Sequence, residues 1–170
     1  GLYGEGECWG WPHVVERAIH ELKPLIIGEN PQNIERLWQK MFAAVMSHGM
    51  TGVVGSGAIT GIEMALWDIK GKRAGMPVYQ LLGGKCREAA ACYAHADGRD
   101  RNEVLENVIN FRDQGYRHIR VQMGGYGGRT AESAKPEGAQ EGAYYDPREY
   151  CINLLGMIEF VRKNAGDKFE

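Results

Sequence analysis

The chain has 170 residues, 44% hydrophobic, 25% charged and 9% aromatic, with 20 Lys and Arg against 22 Asp and Glu, a formal charge of −2. That is enough for one medium domain or two small ones, and the balance gives no basis for a nucleic-acid surface or a basic membrane-binding face. No apolar run approaches the roughly 18 to 20 residues that span a bilayer, and the glycine-rich, acidic start is unlike a signal peptide. Cys8, Cys86, Cys92 and Cys151 form no C-x-x-C pair, which argues against zinc and thioredoxin-like chemistry. Scattered thiols fit a reducing, cytoplasmic setting.

Leu2 to Glu7 reads as a strand already under way at the first residue. Residues 12–27 carry a helical period, with Val14, Val15, Ala18, Ile19, Leu22, Leu25 and Ile26 on one face. Pro12 suits a first turn, Pro24 is awkward inside a helix, and Gly28 is a stop. Asn30-Pro31 starts a second helix carrying Ile34, Leu37, Trp38, Met41, Phe42 and Val45. Residues 47–57 read as a flexible loop. A third helix follows from about Ala58 to Ala74, and Pro77 opens one short turn ending at Gly83-Gly84.

The pattern then changes. Ala89 to His95 reads as a buried strand. Asp100-Arg101-Asn102-Glu103 is a capping box that opens a helix to Gln114, and Gly115 ends it. His118 to Met123 reads as a second strand, followed by a glycine-rich loop from Gly124 to Tyr145. Asp146-Pro147-Arg148-Glu149 starts a last helix to about Asn164, and a further strand is expected to begin at Lys168-Phe169-Glu170. Tight strand–helix alternation predicts a parallel sheet. The first 85 residues are thus helical, the remainder is βαβα, and both ends read as cut.

Several motifs bear on chemistry. Gly55-x-Gly57-x-x-x-Gly61 opens a helix, but a dinucleotide fingerprint needs a preceding strand and a following βαβ unit; close packing of the third helix accounts for these glycines instead. Gly4-Glu5-Gly6-Glu7 lacks the Lys-Ser/Thr of a phosphate loop. His13 and His20 lie on an amphipathic helix. His48 sits in a glycine-bounded loop within reach of a ligand. His95 ends a predicted strand, and in α/β sheets and barrels that end faces the ligand. An imidazole there can bind a hydroxyl or carry a proton. Arg120 and Gln122 alternate with Ile119, Val121 and Met123, so the two polar side chains share one face. On a covered strand that face is costly unless it serves a site.

The stretches LKPLIIGENPQNIERLWQKM, GAITGIEMALWDIKGKRAGMPVYQLLGG, CYAHADG and GYRHIRVQMG together resemble the mandelate racemase/muconate lactonising enzyme family of the enolase superfamily, over nearly the whole chain. The resemblance implies an α/β chain with an α+β cap: residues 1–85 would be the later part of the capping domain, and 86–170 the first two βα units of a modified (β/α)7β TIM-like barrel. It implies proton abstraction alpha to a carboxylate, with Mg2+ neutralising the enediolate. The family's lysine pair on the second barrel strand is replaced here by Arg120 and Gln122. That, and His95-Ala96-Asp97-Gly98 beside the H-A-N-G pattern, resembles the mannonate dehydratase-like branch, which includes proteins described as starvation-sensing. There the histidine contacts substrate and the arginine pairs with a tyrosine base. Simple spacing puts that tyrosine near Glu132, where this sequence has none; Tyr126, Tyr144 and Tyr145 lie in the loop, and the base stays unassigned.

The resemblance therefore implies part of a Mg2+-dependent acid-sugar dehydratase, a hydro-lyase, with Arg120 as catalytic residue, either tuning a tyrosine base or holding substrate charge. His95, Gln122 and His48 would bind substrate, and the loop from His48 to Gly55 would close over it. The metal carboxylates are expected beyond Glu170, and the 170-residue chain alone to be inactive and poorly stable. The partner is a small sugar acid, with no nucleic acid and no membrane, in a homo-oligomer. The alternatives are a racemase, epimerase or cycloisomerase of the same family, or an inactive binding or regulatory relative.

Overall fold

The computed structural model describes residues 1–47, 49, 52–124, 137, 138, 140, 141, 147–166 and 168–170. The chain divides into two compact units, Gly1–Glu88 and Ala89–Glu170.

The first unit is helical. Helix α1 spans Pro12–Ile26 and buries Val15, Ala18 and Leu22, positions that share one face at the 3.6-residue period. Pro24 lies inside α1, close enough to its end that one further turn closes through the Ile27 amide donating to the Lys23 carbonyl at 3.1 Å. Helix α2 spans Ile34–Met46, burying Ile34, Leu37, Met41 and Val45, and the Trp38 and Phe42 rings stack 4.9 Å apart. It begins later than the Asn30-Pro31 pair predicts, because the Asn30 side chain accepts from the Gln32 amide at 3.0 Å and holds those residues in a turn. Helix α3 spans Val53–Ala74 and ends at Gly75, which adopts φ +65°. The Met76 amide donates to Gly71 and that of Gly75 to Lys72, so the last carbonyls are satisfied. Helix α4, Val78–Leu81, is a single turn. The core joins Val15, Ala18 and Leu22 to Met41, Val45, Ala58 and Ile59.

Two expectations are corrected here. Residues 1–9 form no strand; the segment runs antiparallel along α3, its polar backbone groups met by that helix's side chains. The Glu5 amide donates to Asp68 Oδ2 at 2.9 Å, and Lys72 Nζ donates to the Tyr3 carbonyl at 3.2 Å. The glycine run before Ala58 is not a loop but the first turns of α3. A Cβ on Gly57 would stand 2.7 Å from the Trp9 carbonyl, and one on Gly61 would overlap Cys8 Sγ. Gly57 thus admits a neighbouring backbone and Gly61 a neighbouring thiol, the close packing of this helix that the sequence implies in place of a dinucleotide loop.

The second unit is βαβα. Strands β1 (Tyr93–Gly98) and β2 (His118–Met123) pair in parallel. Helix α5 spans Arg101–Asp113 and α6 spans Pro147–Ala165. Ala96 and Ile119 of the sheet pack with Val104 and Val108 of α5, and with Met157, Val161 and Ala165 of α6, in one core. Both helices therefore cover the same face of the sheet. The Glu170 amide donates to the Arg117 carbonyl at 2.6 Å, and the Ile119 amide donates to the Glu170 carbonyl at 2.7 Å. This is the first rung of a parallel ladder on β2, opposite His118, where the sequence expects a strand to begin. Strand β1 starts four residues later than expected and leaves Ala89–Cys92 exposed, since pairing begins only where His118 stands opposite Tyr93.

The predicted cap forms, with its return bond made one residue before the N-cap instead of at Asp100 itself. Asp100 Oδ1 accepts from the amides of Asn102 at 2.8 Å and Glu103 at 3.1 Å, while Glu103 Oε2 reaches back to the Arg99 amide at 2.8 Å. The Glu103 and Asn102 amides hold the Asp100 carboxyl below the usual carboxylate range. A depressed folded-state pKa gives stability that is present above the unfolded value, near 3.9, and lost as pH falls through the folded one. Asp100→Ala is expected to lower the melting temperature at pH 7, and the gap from the parent chain should shrink as pH drops below about 4. Thermal unfolding followed across that range checks it; a gap independent of pH contradicts it.

Candidate active site

Side chains alternate across a strand, and register partners in a parallel pair point to the same face. Tyr93 pairs with His118, His95 with Arg120, and Asp97 with Gln122. Their neighbours Ala94, Ala96 and Ile119 are buried, and Ala96 and Ile119 belong to the helix-covered core. The sheet thus has one small, apolar face under α5 and α6. Its other face carries two imidazoles, a guanidinium, a carboxylate, an amide and a phenol. His95, Asp97 and Arg120 are exposed, while Gln122 retains only 7% of its surface.

His95 and Arg120 are brought side by side by the register, about 4.8 Å apart between strand axes. Gln122 sits one step further toward the strands' C-terminal end. His95 is not the last residue of its strand, as the sequence reading places it, but the third of six. The strand end is instead Asp97-Gly98, and it is built tightly. Asn107 Nδ2 of α5 donates to the Asp97 carbonyl at 2.6 Å, and the Gly124 amide donates to the Gly98 carbonyl at 2.8 Å. A Cβ on Gly98 would stand 2.6 Å from the Val104 amide nitrogen, so only glycine lets α5 start this close to β1. The Asp100 carboxylate occupies the N-terminus of α5.

At the opposite end of the face, Glu170 Oε1 accepts from Arg117 Nη2 at 2.6 Å, and its Oε2 lies 3.6 Å from His118 Nδ1. The Arg117 guanidinium, then its charge and that of His118, keep the Glu170 carboxyl below its ordinary range.

His48 lies outside the described residues, as do Tyr126, Tyr144 and Tyr145, and Gly55, taken as the end of a closing loop, is buried within α3. Among the described residues no group of three or more His, Cys, Asp or Glu is arranged to hold a metal ion, and no helix is long and apolar enough to cross a membrane. The sequence reading missed Tyr93, whose ring lies 5.1 Å from that of His95, and left Asp97 in a loop. Placing the strand at 93–98 rather than 89–95 is the signal that finds both, since 93, 95 and 97 then alternate onto one face.

Residues 1–83 match the family model for the mandelate racemase/muconate lactonizing enzyme N-terminal domain. A D-galactonate dehydratase family member from Enterocloster bolteae is 46% identical over 99% of this chain and 43% of its own length. The crystal structure of an enolase from Pantoea ananatis with bound D-gluconate and Mg superposes with a TM-score of 0.77 at 39% identity, covering 100% of this chain and 45% of that one. The 3,6-anhydro-D-galactonate cycloisomerase from Zobellia galactanivorans superposes with a TM-score of 0.64 at 33% identity, covering 73% of this chain and 35% of that one. The chain spans less than half the length of the curated relatives it matches.

Proposed function

Since the chain belongs to the mandelate racemase/muconate lactonizing enzyme family of the enolase superfamily, we propose that it forms part of an acid-sugar dehydratase, with the polar face of β1 and β2 as one wall of the active site. The observation that carries the reading is the in-register pair His95 and Arg120 on the face away from the helices. In a doubly wound sheet helices lie on both faces and strand order reverses at the ligand site. Here β1, β2 and the rung at Glu170 follow in sequence, with both connecting helices on one face. That supports a singly wound sheet, the beginning of a barrel whose interior is the polar face. On this reading residues 1–85 are capping domain and residues 86–170 begin the barrel.

The reaction removes the proton alpha to the carboxylate of a polyhydroxy acid. The electron pair enters an enediolate, the beta hydroxyl leaves with a proton as water, and the enol product tautomerises to a 2-keto-3-deoxy acid. Negative charge grows on the carboxylate oxygens as the proton leaves. Arg120 supplies a permanent cation with a planar fork of donors, and His95 beside it hydrogen-bonds a substrate hydroxyl or carries a proton. Gln122 adds an amide for another hydroxyl. Magnesium, bound by the Pantoea relative together with D-gluconate, would supply further positive charge to the enediolate. The described residues alone do not form its site. The four unpaired cysteines support a reducing, cytoplasmic setting, and homo-oligomeric assembly goes with the family reading.

The test uses a form of the protein as long as its relatives. Incubated with magnesium and a panel of acid sugars that includes D-gluconate, D-galactonate and D-mannonate, it is expected to release a 2-keto acid from at least one. Exchange of the alpha proton in deuterated water without loss of water would instead favour the racemase or cycloisomerase reading, which the Zobellia relative supports. Neither exchange nor dehydration leaves the binding or regulatory reading.

A further inference from the structure

We propose that Tyr93 is a positioning residue for His95, its ring serving as the platform that sets the orientation of the imidazole on the open face of the sheet. This rests on the assignment of His95 to the substrate wall. Residues two apart on a strand lie about 6.5 Å apart along it, yet the two ring centroids are 5.1 Å apart, with planes inclined by 30°. At least one ring therefore leans along the strand to meet the other. Tyr93 keeps 57% of its surface exposed, so water is open to the phenol, and the ring nevertheless lies against the imidazole.

Among the described residues, the surroundings leave this orienting task to Tyr93. Among the described residues no hydrogen bond or ion pair holds the His95 imidazole; the tyrosine ring is its one specific side-chain partner. Arg120 stands across from His95 and Asp97 follows it by two residues on the same face. His118, the register partner of Tyr93, has its Nδ1 3.6 Å from Glu170 Oε2, which engages it at the far edge of β2. An unrestrained histidine samples several rotamers and must be frozen on binding. A ring lying against it removes part of that cost before substrate arrives.

The experiment is proton NMR, with selectively labelled tyrosine and histidine, on the form of the protein as long as its relatives, without substrate. Cross-relaxation between the Tyr93 ring protons and the His95 imidazole protons is expected, with the imidazole resonances shifted by the tyrosine ring current. Y93F should keep the shift, because the phenyl face is retained. Y93L should lose it while the β1–β2 amide resonances stay in place. Absence of the cross-relaxation in the unmodified chain overturns the proposal, and so do unchanged imidazole resonances in a folded Y93L. If Y93L does not fold, the unmodified chain and Y93F still decide. The contact is read without substrate, so its loss condemns the positioning role alone, and a failed sugar-acid assay with the contact intact condemns the site assignment alone.

Discussion

Replacing Arg120 by alanine is expected to lower turnover of the preferred acid sugar about a hundredfold to a thousandfold, the range seen when one preorganised donor to a developing negative charge is removed. Abstraction of the alpha proton places a second negative charge on a group that is already a carboxylate. A fixed guanidinium offsets that charge more strongly in the transition state than in the ground state, so the loss should fall on kcat as well as on kcat/KM. Arg120 is exposed on the strand face and lies outside the core that holds its neighbour Ile119, so the variant should still fold. Arg120→Lys keeps the charge and loses the planar fork, and should recover part of the activity. His95→Asn, which keeps a hydrogen-bonding group but cannot carry a proton, should also lower turnover strongly. Steady-state kinetics on the form of relative length checks all three. Rates for Arg120→Ala and His95→Asn within a few-fold of the parent would remove this face of the sheet from the active site.

Gly6→Ala is expected to destabilise the first unit by about 2–3 kcal/mol, toward the upper end of what overpacking costs. The N-terminal segment approaches α3 so closely that a Cβ on Gly6 would overlap the Gly61 carbonyl oxygen, and would lie 2.9 Å from the Gly61 carbonyl carbon and 3.0 Å from the Ala65 nitrogen. All three are backbone atoms of a helix, and none can rotate aside. The segment must lift, straining the Glu5–Asp68 and Tyr3–Lys72 hydrogen bonds that dock it. Gly6 has no positive φ, so the penalty is steric and not conformational. Urea unfolding of the purified chain measures it; an unchanged midpoint would mean the segment is not docked in solution.

Much of the local structure is legible from residues alone. The three- and four-residue spacing of Val15, Ala18 and Leu22 and of Leu37, Met41 and Val45 states which face of α1 and α2 is buried, because the helix period is a property of the backbone. Asp100 and Glu103 announce the start of α5, because a cap satisfies amides only two or three residues away. His118–Met123 reads as a strand, and its period of two places Arg120 and Gln122 together. The family resemblance of residues 1–83 is also legible there.

What escaped was whatever depends on a second piece of chain. Glycine lowers helix propensity, so Val53–Gly57 looked like loop; the approach of residues 4–9 is what makes glycine useful on that helix. Ala89–Ala91 are apolar enough for a strand but have no partner, and β1 begins only at Tyr93, opposite His118. The composition of the polar face was therefore determined strand by strand in the sequence, whereas its pairing was decided by tertiary structure. Packing of Val104, Val108, Met157 and Val161 over Ala96 and Ile119 selects the register, since a slip of one residue would turn His95 into the core and Ala96 out to solvent. That choice sets His95 beside Arg120.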